Sequence, residues 1–307
     1  MDGAARNVSN VLVMSAHQMH PDELDISPAL VGRLLRAQYP QWADLPINEV
    51  PSTGTVNAIY RLGERLYVRL PRVRSWDQDL AREWHWLPLL APRLGLQVPE
   101  PVALGRPGRQ YPASWAVYRW IDGQSYADEI VDDEHRAAKD LAQFVVEMRG
   151  LETAVGAPRA GRKPLRELDT VTRAAIAAAR DVIDGDAATA AWERALAAPA
   201  WNGPPVWIHS DLLRPNLLVQ SGRLRAVIDF GSVGVGDPAA DVIAAWSVFG
   251  PAGRKTYRDA LAVDDGAWNR ARGFALHQAA LIIPYYPETN PGFVATAKRT
   301  VEQVLAD

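Results

Sequence analysis

Residues Trp207–Val242 read WIHSDLLRPNLLVQSGRLRAVIDFGSVGVGDPAADV, and the fold follows from how this stretch is parsed. The apolar runs NLLV and LRAVI flank Gln220-Ser221-Gly222, a turn signal, so they form an antiparallel hairpin. Asp211 and Asn216 stand on either side of a short loop closed by Pro215, just before the first strand, and Asp229 follows the second. Closing the hairpin returns Asp229 to Asn216. Asp211, Asn216 and Asp229 then converge at one end of it.

Oxygen ligands of this kind suit Mg²⁺, which keeps several waters and is held by one or two carboxylates together with substrate phosphates. In phosphoryl transfer an Asp orients a hydroxyl and accepts its proton, while an Asn and a second Asp hold the metal. Taken singly, each of these residues is equally well read as a loop brace or a cap. Taken together, the Asp-x-x-x-x-Asn spacing and a downstream Asp-Phe-Gly form the catalytic pattern of kinases. His209 reads as a buried histidine whose ring bonds backbone and braces the loop. Asp237, before Pro238, and Asp241 read as caps that steady the helix after them.

Composition bounds the alternatives. A chain of 307 residues with 48% hydrophobic content buries a large core, as one large domain or two lobes. A net charge of −3 offers no basic footprint for nucleic acid. The absence of cysteine excludes disulfides and thiolate zinc sites. The first twenty or so residues read as a frayed extension. Within them NVSNVLVMSAHQMH (7–20) is too short and too polar at its flanks for an export signal, and no later run approaches the ~20 apolar residues of a membrane span. The expectation is a cytoplasmic protein with neither nucleic-acid nor membrane partners.

Elements on either side of the motif differ in kind. Ser27-Pro28 starts a helix, with Leu30, Val31, Leu34 and Leu35 at helical spacing over about 28–39. From Ile47 to about Arg72 the pattern is that of a small antiparallel sheet, IYRL and LYVRL flanking Gly63-Glu64. A helix over about 76–87 puts Leu80, Trp84 and Leu87 on one face, and PASWAVYRWIDG returns to strand before a turn at Asp122-Gly123. Beyond that the chain is mostly helical: Ala138 to Met148, the Ala-rich tracts from Val171 to Ala198, Ala271 to Ile283, and Gly292 to Leu305. The stretch RAGRKP near Gly161 is the most loop-like connector. The fold class is therefore α+β, with a strand-rich part over 1–120 and a helix-rich part over 121–307.

At HSDLLRPNLLV and VIDFGSVGVGDPAADV the chain resembles the aminoglycoside phosphotransferase family, which includes macrolide phosphotransferases and other antibiotic or small-metabolite kinases; the likeness runs from about Pro46 to the C-terminal helices. The resemblance implies a bilobal protein-kinase-like fold with ATP or GTP between the lobes and a small-molecule acceptor at the C-terminal one. It assigns Asp211 as catalytic base and Asn216 and Asp229 as Mg²⁺ ligands. STGTVNAIY would lie over the phosphates with Gly54 and Thr55 nearest, Arg69 would bind phosphate beside its partner Glu83, and backbone groups of Arg119 and Ile121 would hold the base. Two positions depart from the family pattern: Arg69 where a lysine is common, and Ser210 where glycine is usual. A protein kinase fits less well, because no G-x-G-x-x-G loop and no Ala-Pro-Glu are present. The implied activity is a small-molecule kinase, most economically one that inactivates an antibiotic. A metabolite kinase for a sugar or choline-like alcohol is an alternative, as is a nucleotide-binding pseudokinase, which the two departures suggest.

For the acceptor, the acidic run from Asp128 to Glu134 reads first as the start of a helix, complementing its dipole, and second as an attractor for a polycation. His277, Tyr285, Tyr286 and Glu288 gather near the end of a C-terminal helix, with Thr289 or Asn290 as cap of the last helix.

Overall fold

The computed structural model describes residues 19–20, 22–51 and 54–307. Most of the N-terminal extension therefore lies outside the described residues, as do Ser52 and Thr53 of the STGTVNAIY stretch.

Helix α1 (Pro28–Gln38) begins where Ser27 accepts a hydrogen bond from the Leu30 amide at 3.3 Å, with Pro28 at the first helical position. A five-stranded antiparallel sheet follows, from β1 (Ile47–Glu49), β2 (Asn57–Leu62), β3 (Leu66–Pro71), β4 (Pro101–Gly105) and β5 (Trp115–Arg119), in the order β1-β2-β3-β5-β4. Between β3 and β4 runs α2 (Asp77–Leu90). Side chains alternate across a strand, and the register uses this strictly. Leu66, Val68 and Leu70 of β3 share a face with Trp115 and Val117 of β5, and α1 covers it with Leu30, Val31, Leu34 and Leu35. Tyr67 and Arg69 point to the opposite face with Ala116 and Tyr118, where α2 packs through Leu80. The buried positions of α2 are Leu80, Glu83, Trp86, Leu87 and Leu90; Trp86 takes the place expected of Trp84, which is half-buried.

The sheet gives way to helices after β5. The chain passes through β6 (Gln124–Ser125) into α3 (Glu134–Arg149), α4 (Leu165–Ala178) and α5 (Gly185–Leu196), the last two matching the Ala-rich tracts. Then come the short β7 (Val206–Ile208) and the hairpin β8 (Leu217–Gln220) and β9 (Arg223–Val227), with β10 (Gly234–Gly236) pairing antiparallel to β7. The hairpin turn has Ser221 at φ 50° and Gly222 at φ 75°, both left-handed as a two-residue turn between twisted strands requires. The lobe ends with α6 (Ala239–Val242), α7 (Ala244–Ser247), α8 (Pro251–Leu261), α9 (Asp265–Tyr285) and α10 (Pro291–Leu305). The mixed polar composition of α8 hid it, and β4 follows the Pro-rich QVPEP, which reads as loop.

Helix α9 is apolar around much of its circumference and runs through the middle of the lobe. Its Gly273 has no room for a side chain: a Cβ there would lie 2.8 Å from the Ala195 Cβ and 3.0 Å from Leu165. Close approach to α4 and α5 fixes the helix in place.

Candidate active site

The hairpin register pairs Leu217 with Val227, and the Ile228 amide donates to the Asn216 carbonyl at 2.9 Å. Asp229 is the next residue: a β-bulge between Leu218, paired with Ala226, and Val219, paired with Leu224, shifts the register by one and brings it back beside Asn216. Asn216 Nδ2 donates to the Asp211 carbonyl and to its Oδ2, both at 2.9 Å, which leaves the amide oxygen of Asn216 for a cation. Asp229 sits at φ 66°, ψ 70°, a left-handed conformation that a non-glycine residue adopts only where its surroundings impose it.

What imposes it is a cluster of ions between the lobes. Arg69, 4% exposed, donates from NH1 to Glu83 Oε2 at 2.6 Å and from NH2 to Asp229 Oδ1 at 2.7 Å. Glu83 Oε2 also accepts from the Phe230 amide at 2.7 Å, and Arg82 donates to the Gly231 carbonyl at 3.0 Å. Strand β3, helix α2 and the Asp-Phe-Gly segment thus share one fully buried carboxylate. Burial opposes the guanidinium's charge, but Glu83 and Asp229 outweigh it and hold Arg69 above its already high ordinary value. A planar fork that reaches two carboxylates at once is what distinguishes arginine from lysine here.

The loop that carries Asp211 is held from below. His209 is fully buried; its Nδ1 accepts from the Asp211 amide at 3.3 Å, so the ring is protonated on Nε2, which donates to the Ile228 carbonyl at 3.1 Å. Asp241 accepts from the His209 amide at 3.0 Å and the Ser210 amide at 2.7 Å. The expectation that Asp241 caps its own helix is corrected: its carboxylate reaches back across the lobe to two loop amides instead. Asp237 does cap, accepting from the Ala239 amide at 2.9 Å, while Arg270 pairs with it at 2.8 Å. Ser210 lies at φ 67°, where glycine is unstrained, and its hydroxyl donates to the Ser232 carbonyl at 3.0 Å.

Two contacts to this loop have no motif behind them. Gln278 of α9 donates to Asp211 Oδ1 at 2.8 Å, and Arg162, from the RAGRKP connector, donates to the Ser210 carbonyl at 3.2 Å. The only sequence signal for Gln278 is a polar residue within the apolar run FALHQAALII. Burial raises the Asp211 carboxyl above the usual carboxylate range and the neighbouring Asp229 adds to this; Arg162, the Gln278 bond and His209 pull it back.

In front of these groups a cleft of about 650 Å³ is lined by Gly54, Val56, Ile59, Tyr67, Arg69, Trp120, Ile121, Asn216, Leu218, Ile228 and Asp229. Its apolar walls and polar end suit a flat ring carrying phosphates. Thr55 is turned away from the lining, toward the Tyr286 hydroxyl. Arg119 also stands outside: strand alternation points its side chain to Glu100 at 2.8 Å, and its amide donates to the Glu100 carbonyl at 3.0 Å. Ile121 and Trp120 face the cleft instead.

Near the cleft, His20 packs against Trp76, Tyr285 and Tyr286, with ring centroids 4.8, 5.8 and 5.8 Å away. Asp128 pairs with Arg214 and Arg299, Asp133 caps α3, and Glu134 accepts from the Gly250 and Gly253 amides. Much of the acidic run is therefore committed to structure. Asn290 caps α10 by accepting from the Phe293 amide at 3.1 Å. Among the described residues no helix is long and apolar enough to cross a membrane.

The model of the phosphotransferase enzyme family matches residues 49–274. In fold the chain is similar to the GDP and kanamycin complex of APH(2")-IIia, at a TM-score of 0.71 and 18% identity, covering 90% of this chain and 98% of that one. It is similar to ADP-bound aminoglycoside phosphotransferase APH(2'')-Ib at 0.60 and 17%, covering 90% and 98%. It is similar as well to the macrolide 2'-phosphotransferase MphH from Brachybacterium faecium at 0.58 and 20%, covering 89% and 98%. No curated protein matches it in sequence.

Proposed function

The chain belongs to the phosphotransferase enzyme family, and from that premise we propose that it transfers the γ-phosphoryl group of ATP or GTP to a hydroxyl of a small molecule, most economically an antibiotic. The observation that carries this reading is the meeting of Asn216 and Asp229 at the polar end of a cleft, with Asp211 bonded to Asn216 and the Arg69–Glu83 pair alongside.

Asn216 and Asp229 fit a hard cation: two oxygen donors face the cleft with room for phosphate and water to complete the shell. Mg²⁺ held there would neutralise charge on the phosphates. Asp211 would accept the acceptor's proton as its oxygen bonds to the γ-phosphorus and the bond to the bridging oxygen breaks, releasing the nucleoside diphosphate. Arg69 retains N–H donors for phosphate beyond its two carboxylate bonds. Gly54 and Ile121 would meet the nucleotide; Thr55 and Arg119 stand outside the lining.

For the acceptor, Asp128 is paired with Arg214 and Arg299, while Asp133 and Glu134 are held by backbone amides as helix and loop ties. The rings of His20, Trp76, Tyr285 and Tyr286 pack on one another, and the exposed Tyr285 offers a face to an apolar, ring-bearing acceptor such as a macrolide. The test is Mg²⁺-dependent turnover of ATP and of GTP by the purified protein against macrolides, aminoglycosides and simple alcohols. Acceptor-stimulated turnover that disappears in Asp211→Ala is expected. Nucleotide binding with no stimulation by any acceptor, insensitive to Asp211→Ala, would overturn the reading and leave a nucleotide-binding protein without turnover.

A further inference from the structure

We infer that Gln278 is a positioning residue of the transfer reaction: from the centre of α9 it fixes the orientation of the Asp211 carboxylate toward the acceptor. The inference rests on the reading of Asp211 as the base.

A carboxylate on a loop turns about two side-chain torsions, and a base that must meet one hydroxyl has to be held in both. Asn216 holds one oxygen, Oδ2, at 2.9 Å; it is only five residues away, on the same loop, and would move with it. Gln278 holds the other, Oδ1, at 2.8 Å, from an element 67 residues away. Asp211 is thereby gripped at both oxygens by amide N–H donors, one local and one belonging to the lobe's central helix. Each oxygen keeps a further lone pair for the incoming proton.

The helix is a rigid mount. Gly273 lies one turn before Gln278 and packs so closely on α4 and α5 that no Cβ fits without displacing Ala195 or Leu165. The preceding residue, His277, donates to Thr172 Oγ1 at 2.8 Å, and Thr172 donates onward to the Leu168 carbonyl at 2.7 Å. The rotation of α9 about its axis, and with it the direction of Gln278, is therefore set by buried contacts. A donor on a loop would not hold Asp211 to the fraction of an ångström that in-line transfer demands. Half-exposed and set in an apolar helix, Gln278 has no other hydrogen-bond partner among the described residues that would account for a polar side chain there.

The experiment compares wild-type protein with Gln278→Leu, which keeps the size and removes the donor, Gln278→Glu, which opposes one carboxylate to another, and Asp211→Ala. Turnover of Mg-ATP and Mg-GTP is measured with erythromycin, with kanamycin and with water alone as acceptor, alongside nucleotide affinity and melting temperature. For whichever acceptor gives Asp211-dependent turnover, kcat should fall roughly 10- to 100-fold in Gln278→Leu and further in Gln278→Glu. Nucleotide affinity, the KM for nucleotide and the melting temperature should stay at wild-type values. Wild-type kcat in both variants would overturn the inference, as would a loss that tracks weaker nucleotide binding and a lower melting temperature. If wild type and Asp211→Ala turn over alike, the assignment of Asp211 itself fails, and the role of Gln278 with it.

Discussion

At Ser210 a single residue carries two opposed terms: a side chain at φ 67° costs of order 1–2 kcal/mol, while its hydroxyl bond to the Ser232 carbonyl returns about 1 kcal/mol. The departure from glycine that the sequence displays is thus a trade of backbone freedom for a tie between the loop that carries Asp211 and the segment after Asp-Phe-Gly. It removes the reason for treating Ser210 as a mark of lost activity. His277 offers a sharper test. Burial, with Arg162 nearby, lowers its pKa to about 4, so the folded protein keeps it neutral where an unfolded chain would protonate it from about 6.5 downward. The unfolded state then binds more protons between those values, and stability must fall as the pH drops through that window. His277→Gln retains a donor for Thr172 and has no such penalty. Chemical denaturation at pH 7 and pH 4.5 should show wild type losing about 2 to 3 kcal/mol more than the variant on acidification. Neither the burial of His277 nor its bond to Thr172 is written in the sequence, because both depend on where α4 meets α9. The convergence of Asp211, Asn216 and Asp229 was legible, since their spacing is local.

The hairpin is the element on which the site is built, and its turn together with the bulge at Leu218–Val219 sets the register that returns Asp229 to Asn216. Gly222 stands at φ 75°, and a Cβ added there would lie 1.9 Å from the exposed Asp132 carboxylate, which can swing away. Backbone conformation therefore dominates the cost of substitution. Gly222→Val should lower stability by about 1 to 2 kcal/mol, whereas Gly222→Asn, tolerant of left-handed backbone, should lose under about 0.5 kcal/mol. Equilibrium unfolding of the two variants checks the difference; equal losses would mean that the turn does not govern the register. Element boundaries in the sequence were legible where punctuation is strong, as at Ser27-Pro28 and Gly63, and failed where composition misleads. Helix α2 runs on through Pro88 to Leu90, because Leu87 and Leu90 bury against the helical lobe. Asp241 looked like a cap because it opens a helix, yet the stronger demand came from two buried loop amides across the lobe.

Across the whole molecule, the Arg69–Glu83–Asp229 cluster is where the two lobes are joined electrostatically. Arg69→Met would leave Glu83 buried without its ion partner, and the free protein should lose about 3–5 kcal/mol. Mg-nucleotide at about 100 times its dissociation constant should stabilise wild type by about 2.7 kcal/mol, and that increment should shrink in the variant at the same nucleotide concentration. Thermal melts with and without nucleotide measure both; an unchanged increment would separate Arg69 from phosphate binding. By itself the sequence determined the α+β class, the hairpin and its converging oxygens, because these follow from periodicity, turn chemistry and spacing within some twenty residues. Only the tertiary structure decided that one carboxylate, Glu83, links three elements, that Arg119 faces outward while Ile121 lines the cleft, and that Asp211 is gripped from α9. These depend on which faces of distant elements meet, and packing sets that through contacts that leave no periodic trace along the chain.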